Sequence, residues 1–143
     1  MFLAAATVTL SGARILVADD DLHLLRAVAS ALSRLGAEVT RAANGAELLY
    51  HLAGKGPFDL VITDIAMPWM TGEQAMLATR TAVSGTSIVI MTGLHDESIS
   101  ERVSELGEHT VLLRKPFDLS QLESVVTTLL EQHSRARAAN DKT

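Results

Sequence analysis

Asp19, Asp20 and Asp21 stand in a row, and Asp64, Thr92 and Lys115 follow at wide intervals along the chain. Each comes at the end of a short apolar run: Arg14–Ala18 precedes the aspartate triplet, Leu60–Thr63 precedes Asp64, Ser87–Met91 precedes Thr92, and Thr110–Arg114 precedes Lys115. If those runs are neighbouring strands, the carboxylates, a hydroxyl and an ammonium meet at one edge. Gathered there without a counter-charge, the carboxylates repel one another, and burial strips their hydration. A divalent cation resolves the conflict. Mg2+ takes oxygen ligands in octahedral geometry and usually pairs one or two carboxylates with several waters, which suits this set without Cys or His; zinc suits it poorly. A metal beside one carboxylate favours phosphoryl transfer, because it neutralises charge on the transferring oxygens while a nearby Lys and Thr hold the others. An Asp nucleophile would form an acyl phosphate.

Those runs, together with Glu38–Arg41, read as five strands. Four of them lack period-two alternation, as strands covered on both faces do; the weaker Glu38–Arg41 run belongs nearer an edge. Between the first two strands, Leu22, Leu25, Ala29, Leu32 and Leu35 recur at helical spacing, with Gly36 as the C-terminal cap. Ala46, Leu49, Leu52 and Ala53 mark a second helix from Asn44-Gly45 to the breakers at Gly54–Pro57. Gly72–Thr81 and Glu97–Leu106 read as a third and a fourth. A fifth starts after Asp118 or Ser120 and carries Leu119, Leu122, Val125, Val126 and Leu129 on one face.

Strand and helix thus alternate five times, and right-handed crossovers place helices on both faces of a parallel sheet. The expected fold is α/β and doubly wound, with ligands beyond the carboxyl ends of the strands. That is the edge where the aspartates, Thr92 and Lys115 fall.

The 143 residues, 48% of them hydrophobic, suit one domain with a full core. Its expected span is residues 13–132, after a linker or upstream remnant over 1–12 and before a polar tail over 133–143 that is expected to be disordered. The apolar Met1–Leu10 stretch has no basic flank and falls short of the ~20 residues of a membrane span, so no membrane association is expected. A net charge of −5, with twelve Lys and Arg spread thinly, disfavours direct nucleic-acid binding. The chain has no Cys, which removes disulfides, thiolate metal sites and a Cys nucleophile and fits a cytoplasmic setting.

Four segments carry a resemblance: ILVADDD (Ile15–Asp21), DLVITDIAMPWMTG (Asp59–Gly72), IVIMTG (Ile88–Gly93) and LLRKPF (Leu112–Phe117). In that order and spacing, from roughly Ala13 to Leu130, the chain resembles the receiver domains of bacterial response regulators and hybrid histidine kinases. The resemblance implies a flavodoxin-like (βα)5 fold with strand order 2-1-3-4-5. It implies Asp64 as phosphoacceptor and a Mg2+ site made by Asp20, Asp19, Asp64 and the backbone carbonyl of Ala66. Lys115 would pair with Asp64 and then with a phosphoryl oxygen, aimed inward by a cis Lys115-Pro116 bond, and Thr92 would swing toward the phosphoryl group as the switch. The implied partners are a histidine kinase or phosphotransfer protein and a downstream protein or attached output domain, with a homodimer also open.

Asp21 taken alone reads as a cap of the first helix. The five histidines show no metal-site spacing and read as surface or boundary residues, and Trp69 as a packing or partner contact. Ala66 and Leu94 occupy positions that adjust phosphoryl lifetime in receivers and cannot hold a water, so slow hydrolysis is expected. Leu112 replaces an aromatic residue common in receivers, leaving the switch to Thr92 and to repacking around the fourth strand, fourth helix and fifth strand. Two rival readings stand beside this one. Asp19 and Asp21 fit the DxD spacing of a haloacid-dehalogenase-type phosphatase, although the later acid pair and the room for a cap domain are missing. The other rival is a receiver-like scaffold that works without phosphorylation. The sequence leaves open a stand-alone regulator and a receiver excised from a longer chain, and the Met1–Leu10 stretch leans modestly toward excision from a hybrid kinase or a longer regulator.

Overall fold

The computed structural model describes the backbone of residues 10–64, 66–67, 70–71, 86–93 and 109–141, with side chains over 10–64, 86–93 and 109–132. In chain order the elements are β1 (Arg14–Ala18), α1 (Leu22–Arg34), β2 (Glu38–Ala42), α2 (Gly45–Lys55), β3 (Leu60–Asp64), β4 (Ala66–Met67), β5 (Met70–Thr71), β6 (Ser87–Thr92), β7 (Thr110–Arg114) and α3 (Leu119–Asp141). Five strands form one sheet in the order β2-β1-β3-β6-β7, and every pairing in it is parallel. Without the two short strands after Asp64, this is the 2-1-3-4-5 order that the resemblance implies. β3 and β6 are buried along their whole length, whereas β2, at the edge, is half exposed. The apolar runs of β3 and β6 lack alternation because protein covers both of their faces.

Strand alternation divides the core in two. On one face Ile15, Val17, Leu60, Ile62, Val89 and Met91 pack with Leu25, Val28 and Leu32 of α1 and Leu122, Val126 and Leu129 of α3. On the other, Leu16, Ala18 and Val61 pack with Leu48 and Leu52 of α2 and with Phe58. Helices on both faces make the sheet doubly wound. The helices expected over 72–81 and 97–106 lie outside the described residues.

Three features differ from the sequence reading. The packing already includes Leu10, ahead of the start expected at residue 13: Leu10 is 5% exposed within the first core, and its N–H donates to the Leu35 carbonyl at 2.7 Å. Gly36, at φ +100°, admits this strap, since a Cβ there would meet the Ser11 Cα at 3.2 Å. At the other end, helix continues through Asp141 where a disordered polar tail is expected. Ser134–Asp141 contains no Gly or Pro and includes Arg135, Ala136, Arg137, Ala138 and Ala139, all good helix formers, so a helix already nucleated by packing can propagate through it. Finally, β4 and β5 pair antiparallel after Asp64, Ala66 with Thr71 and Met67 with Met70, two strands beyond the five read from the sequence.

Local capping follows the sequence. The Asp21 carboxylate accepts from the His23 and Leu24 N–H groups at 3.0 and 3.2 Å, starting α1. At α2, Asn44 Oδ1 accepts from the Glu47 N–H and Glu47 Oε1 accepts from the Ala43 N–H just before the cap, each at 2.8 Å, so two side chains close the start of the helix.

Candidate functional site

All five sheet strands point the same way, so their carboxyl ends share one edge, and the chemistry-bearing residues occur there. Asp19 follows β1, Asp64 ends β3, Thr92 ends β6 and Lys115 follows β7. Lys115 Nζ donates to Asp64 Oδ2 at 2.8 Å and to Asp19 Oδ2 at 2.9 Å. The other Asp19 oxygen, Oδ1, accepts from the Asp21 N–H at 2.8 Å. Carboxylate oxygens of Asp19, Asp20 and Asp64 all lie within 4.8 Å of one another, with Asp19 buried, Asp64 nearly so and Asp20 exposed.

One ammonium therefore stands among three carboxylates. Burial is the larger influence on Asp19: it pushes this carboxyl above its ordinary value, although the bonds from Lys115 and from the Asp21 N–H pull the other way. For Lys115, burial alone would lower the ammonium, but the hydrogen bonds to Asp64 and Asp19 outweigh it and raise it. Lys115 thus stays charged, while the Asp19 carboxylate remains costly to keep ionised. A hard divalent cation fits such a set: the oxygens are close, all donors are carboxylates, and exposed Asp20 leaves one side of the cluster open to water.

Thr92 is fully buried, and the register that pairs Asp64 with Met91 places it one residue further along the adjacent strand. Its carbonyl accepts the Lys115 N–H at 2.7 Å, tying the end of β6 to the residue after β7. The Lys115-Pro116 bond is cis, as the resemblance implies, and Gly56-Pro57 is cis as well.

The structure brings Asp19, Asp20, Asp64 and Lys115 together and sets Thr92 at the same edge. Asp21 stays out of the cluster, its carboxylate engaged in capping α1. Ala66 opens β4 two residues past Asp64, while Leu94 and Trp69 lie outside the described residues. Sequence reasoning missed that Lys115 bridges Asp19 as well as Asp64. The signal was present in the shared carboxyl edge of β1, β3 and β7, but the choice among acids within a triplet depends on which one burial turns inward.

A doubly wound sheet with a cluster of acids and one lysine on the carboxyl edge of the strands places the molecule among flavodoxin-like α/β domains. Within that class the chain belongs to the response regulator receiver domain family, which matches residues 15–127. It is 34% identical over 125 residues to the DNA-binding transcriptional regulator NtrC of Azospirillum brasilense, covering 87% of this chain and 26% of that protein. The chain thus spans about a quarter of that relative's length. Among solved structures it is similar to a CheY-like receiver domain protein of Methanospirillum hungatei JF-1, with TM-score 0.82, 25% identity and coverage of 88% of this chain and 99% of that one. It is also similar to the chemotaxis response regulator CheY4 of Vibrio cholerae, with TM-score 0.74, 30% identity and coverage of 83% and 99%. No helix among the described residues is long and apolar enough to cross a membrane. Family membership removes the ground for the haloacid-dehalogenase reading.

Proposed function

We propose that this receiver domain is a phosphorylation switch that takes a phosphoryl group onto Asp64 from the phosphohistidine of a histidine kinase or phosphotransfer protein. The reading is carried by Lys115 Nζ held 2.8 Å from Asp64 and 2.9 Å from Asp19, with Asp20 completing a cluster that suits a divalent cation. Asp19, Asp20, Asp64 and the Ala66 carbonyl would hold Mg2+. When bound, the ion supplies neutralisation of charge on the transferring oxygens.

A carboxylate oxygen of Asp64 forms the new O–P bond as the N–P bond of the donor breaks, and the electron pair leaves on the imidazole nitrogen, which is then protonated. Lys115, held charged by its two carboxylates, exchanges its bond to Asp64 for one to a phosphoryl oxygen. Thr92 turns its hydroxyl toward the same group. The conformational shift then acts on a downstream protein or an attached output domain. The domain catalyses only its own phosphorylation and dephosphorylation, in a cytoplasmic setting. Ala66 beside Asp64 offers no side chain that could orient an attacking water, which supports slow hydrolysis of the acyl phosphate.

Intact mass after incubation with acetyl phosphate and Mg2+ tests the reading, on the wild type and on Asp64→Asn. The expected result is a gain of one phosphoryl group that needs Mg2+, persists, and is absent from the variant. No adduct under any condition would leave the fold standing and identify a phosphorylation-independent scaffold. An adduct that decays rapidly would overturn the slow-hydrolysis reading alone.

A further inference from the structure

Among the described residues, three buried side-chain polar atoms have no hydrogen-bond partner: Ser87 Oγ, His109 Nδ1 and His51 Nδ1. Such atoms are rare in folded proteins because each loses its hydration and gains nothing in return. His51 lies on α2, apart from the other two. Ser87 opens β6 and is 1% exposed; His109 immediately precedes β7. The Ile88 N–H donates to the His109 carbonyl at 2.8 Å, and the pairing of Ile88 with Thr110 sets Ser87 beside His109 in the neighbouring strand. Strand alternation puts Ser87 on the face of Val89 and Met91, and His109 on the face of Val111 and Leu113, all within or against the same core. A hydroxyl and an imidazole nitrogen thus belong to residues at neighbouring positions on one face of the sheet, each atom buried and without a hydrogen-bond partner.

These are the two strands whose opposite ends carry Thr92 and Lys115, tied by the bond from the Lys115 N–H to the Thr92 carbonyl. We propose that Ser87 and His109 form a polar latch at the far end of the β6–β7 pair, open in this arrangement and closed by a Ser87 Oγ–H to His109 Nδ1 hydrogen bond in the arrangement that phosphorylation favours. The latch rests on the reading of Asp64 as phosphoacceptor and Thr92 as switch. Its logic is a population shift. Two groups unsatisfied in one state and satisfied in the other bias the equilibrium toward the second, and a shift at Thr92 reaches them along a single strand. A polar pair in an otherwise apolar seam is then a feature of the switch rather than a defect of packing.

Nitrogen NMR of the histidine rings in the full chain, before and after acetyl phosphate with Mg2+, tests the latch, with intact mass recorded on the same samples. The His109 Nδ1 resonance is expected to move when the adduct forms in the wild type and to stay in place in Ser87→Ala. In the double variant Ser87→Ala, His109→Leu, the resting arrangement is relieved of both unpartnered groups, so affinity for Mg2+ with beryllium fluoride, a phosphoryl stand-in, should fall about tenfold. A phosphorylated wild type whose His109 signal does not move, or an unchanged affinity in the double variant, would overturn the latch and leave the phosphoacceptor reading intact. A wild type that takes no phosphoryl group would overturn both.

Discussion

β1 and β3 run side by side through the centre of the sheet, and their two ends treat charge in opposite ways. At the amino end, Arg14 and Asp59 close on each other and on nearby backbone. The Arg14 N–H donates to Asp59 Oδ2 at 2.9 Å, the guanidinium donates to the Pro57 carbonyl at 2.8 Å, and its carbon lies 5.1 Å from the centre of the Phe58 ring. The Asp59 N–H returns a bond to the Arg14 carbonyl at 2.8 Å. At the carboxyl end the same two strands present Asp19 and Asp64, two acids with a single ammonium between them and a third acid alongside. The amino end thus engages its charged groups with nearby backbone. Among the described residues the carboxyl end has one ammonium for three clustered carboxylates, and this separates a clasp from a candidate binding site on the same pair of strands.

Removing the ammonium attacks that distinction hardest. Lys115→Met leaves buried Asp19 facing Asp64 without compensation, and the metal-free protein should lose about 3 kcal/mol of stability, as when one partner of a buried ion pair is removed. Mg2+ titration should recover part of that loss in denaturant unfolding. A variant as stable as the wild type, and indifferent to Mg2+, would mean that the carboxyl end is not under electrostatic load. Arg14→Met, at the other end, should cost less, about 1.5 kcal/mol for lost hydrogen bonds to backbone carbonyls, and should leave Mg2+ affinity unchanged. Asp21→Ala separates adjacent acids of the triplet. Loss of the α1 cap should cost about 1 kcal/mol with little change in Mg2+ affinity, whereas Asp20→Ala should weaken Mg2+ binding with little change in stability.

The contrast between the two ends was partly legible in the sequence. The buried strands were, because runs such as Leu60–Thr63 and Ser87–Met91 are apolar without alternation, and the edge strand was, because Glu38–Arg41 is not. Asp19, Asp64, Thr92 and Lys115 stood out because each closes such a run. The β4–β5 pair was not legible, since strands of two residues are too short to show a period. Nor was Leu10: in an apolar stretch nothing marks which residue turns into the core, and its place depends on a backbone approach that Gly36 permits. The polarity of Ser134–Asp141 concealed a helix that continues from packing further up α3. His109 read as a surface or boundary residue and is half-buried, with its Nδ1 enclosed, which a single histidine between apolar runs does not announce.

The smallest expected effect has the opposite sign. Asp19→Asn keeps an oxygen for the Asp21 N–H and removes a carboxylate that burial makes costly, while Lys115 retains Asp64. The metal-free protein should therefore gain up to about 1 kcal/mol near neutral pH and lose affinity for Mg2+. The pH dependence fixes the cause. Because the folded-state value of Asp19 is raised above 3.8, its favourable contribution is complete below that value and fades as pH rises through the raised one. Lys115, raised above 10.5, contributes at every pH below that value and loses its contribution only as pH rises beyond it, so it stays constant across the acid range. Thermal unfolding without metal should accordingly show the Asn variant overtaking the wild type as pH climbs out of the acid range, with Mg2+ reversing the order. Equal curves at all pH values would mean that Asp19 carries no strain of burial, and that the two ends of β1 and β3 differ in sequence but not in energy.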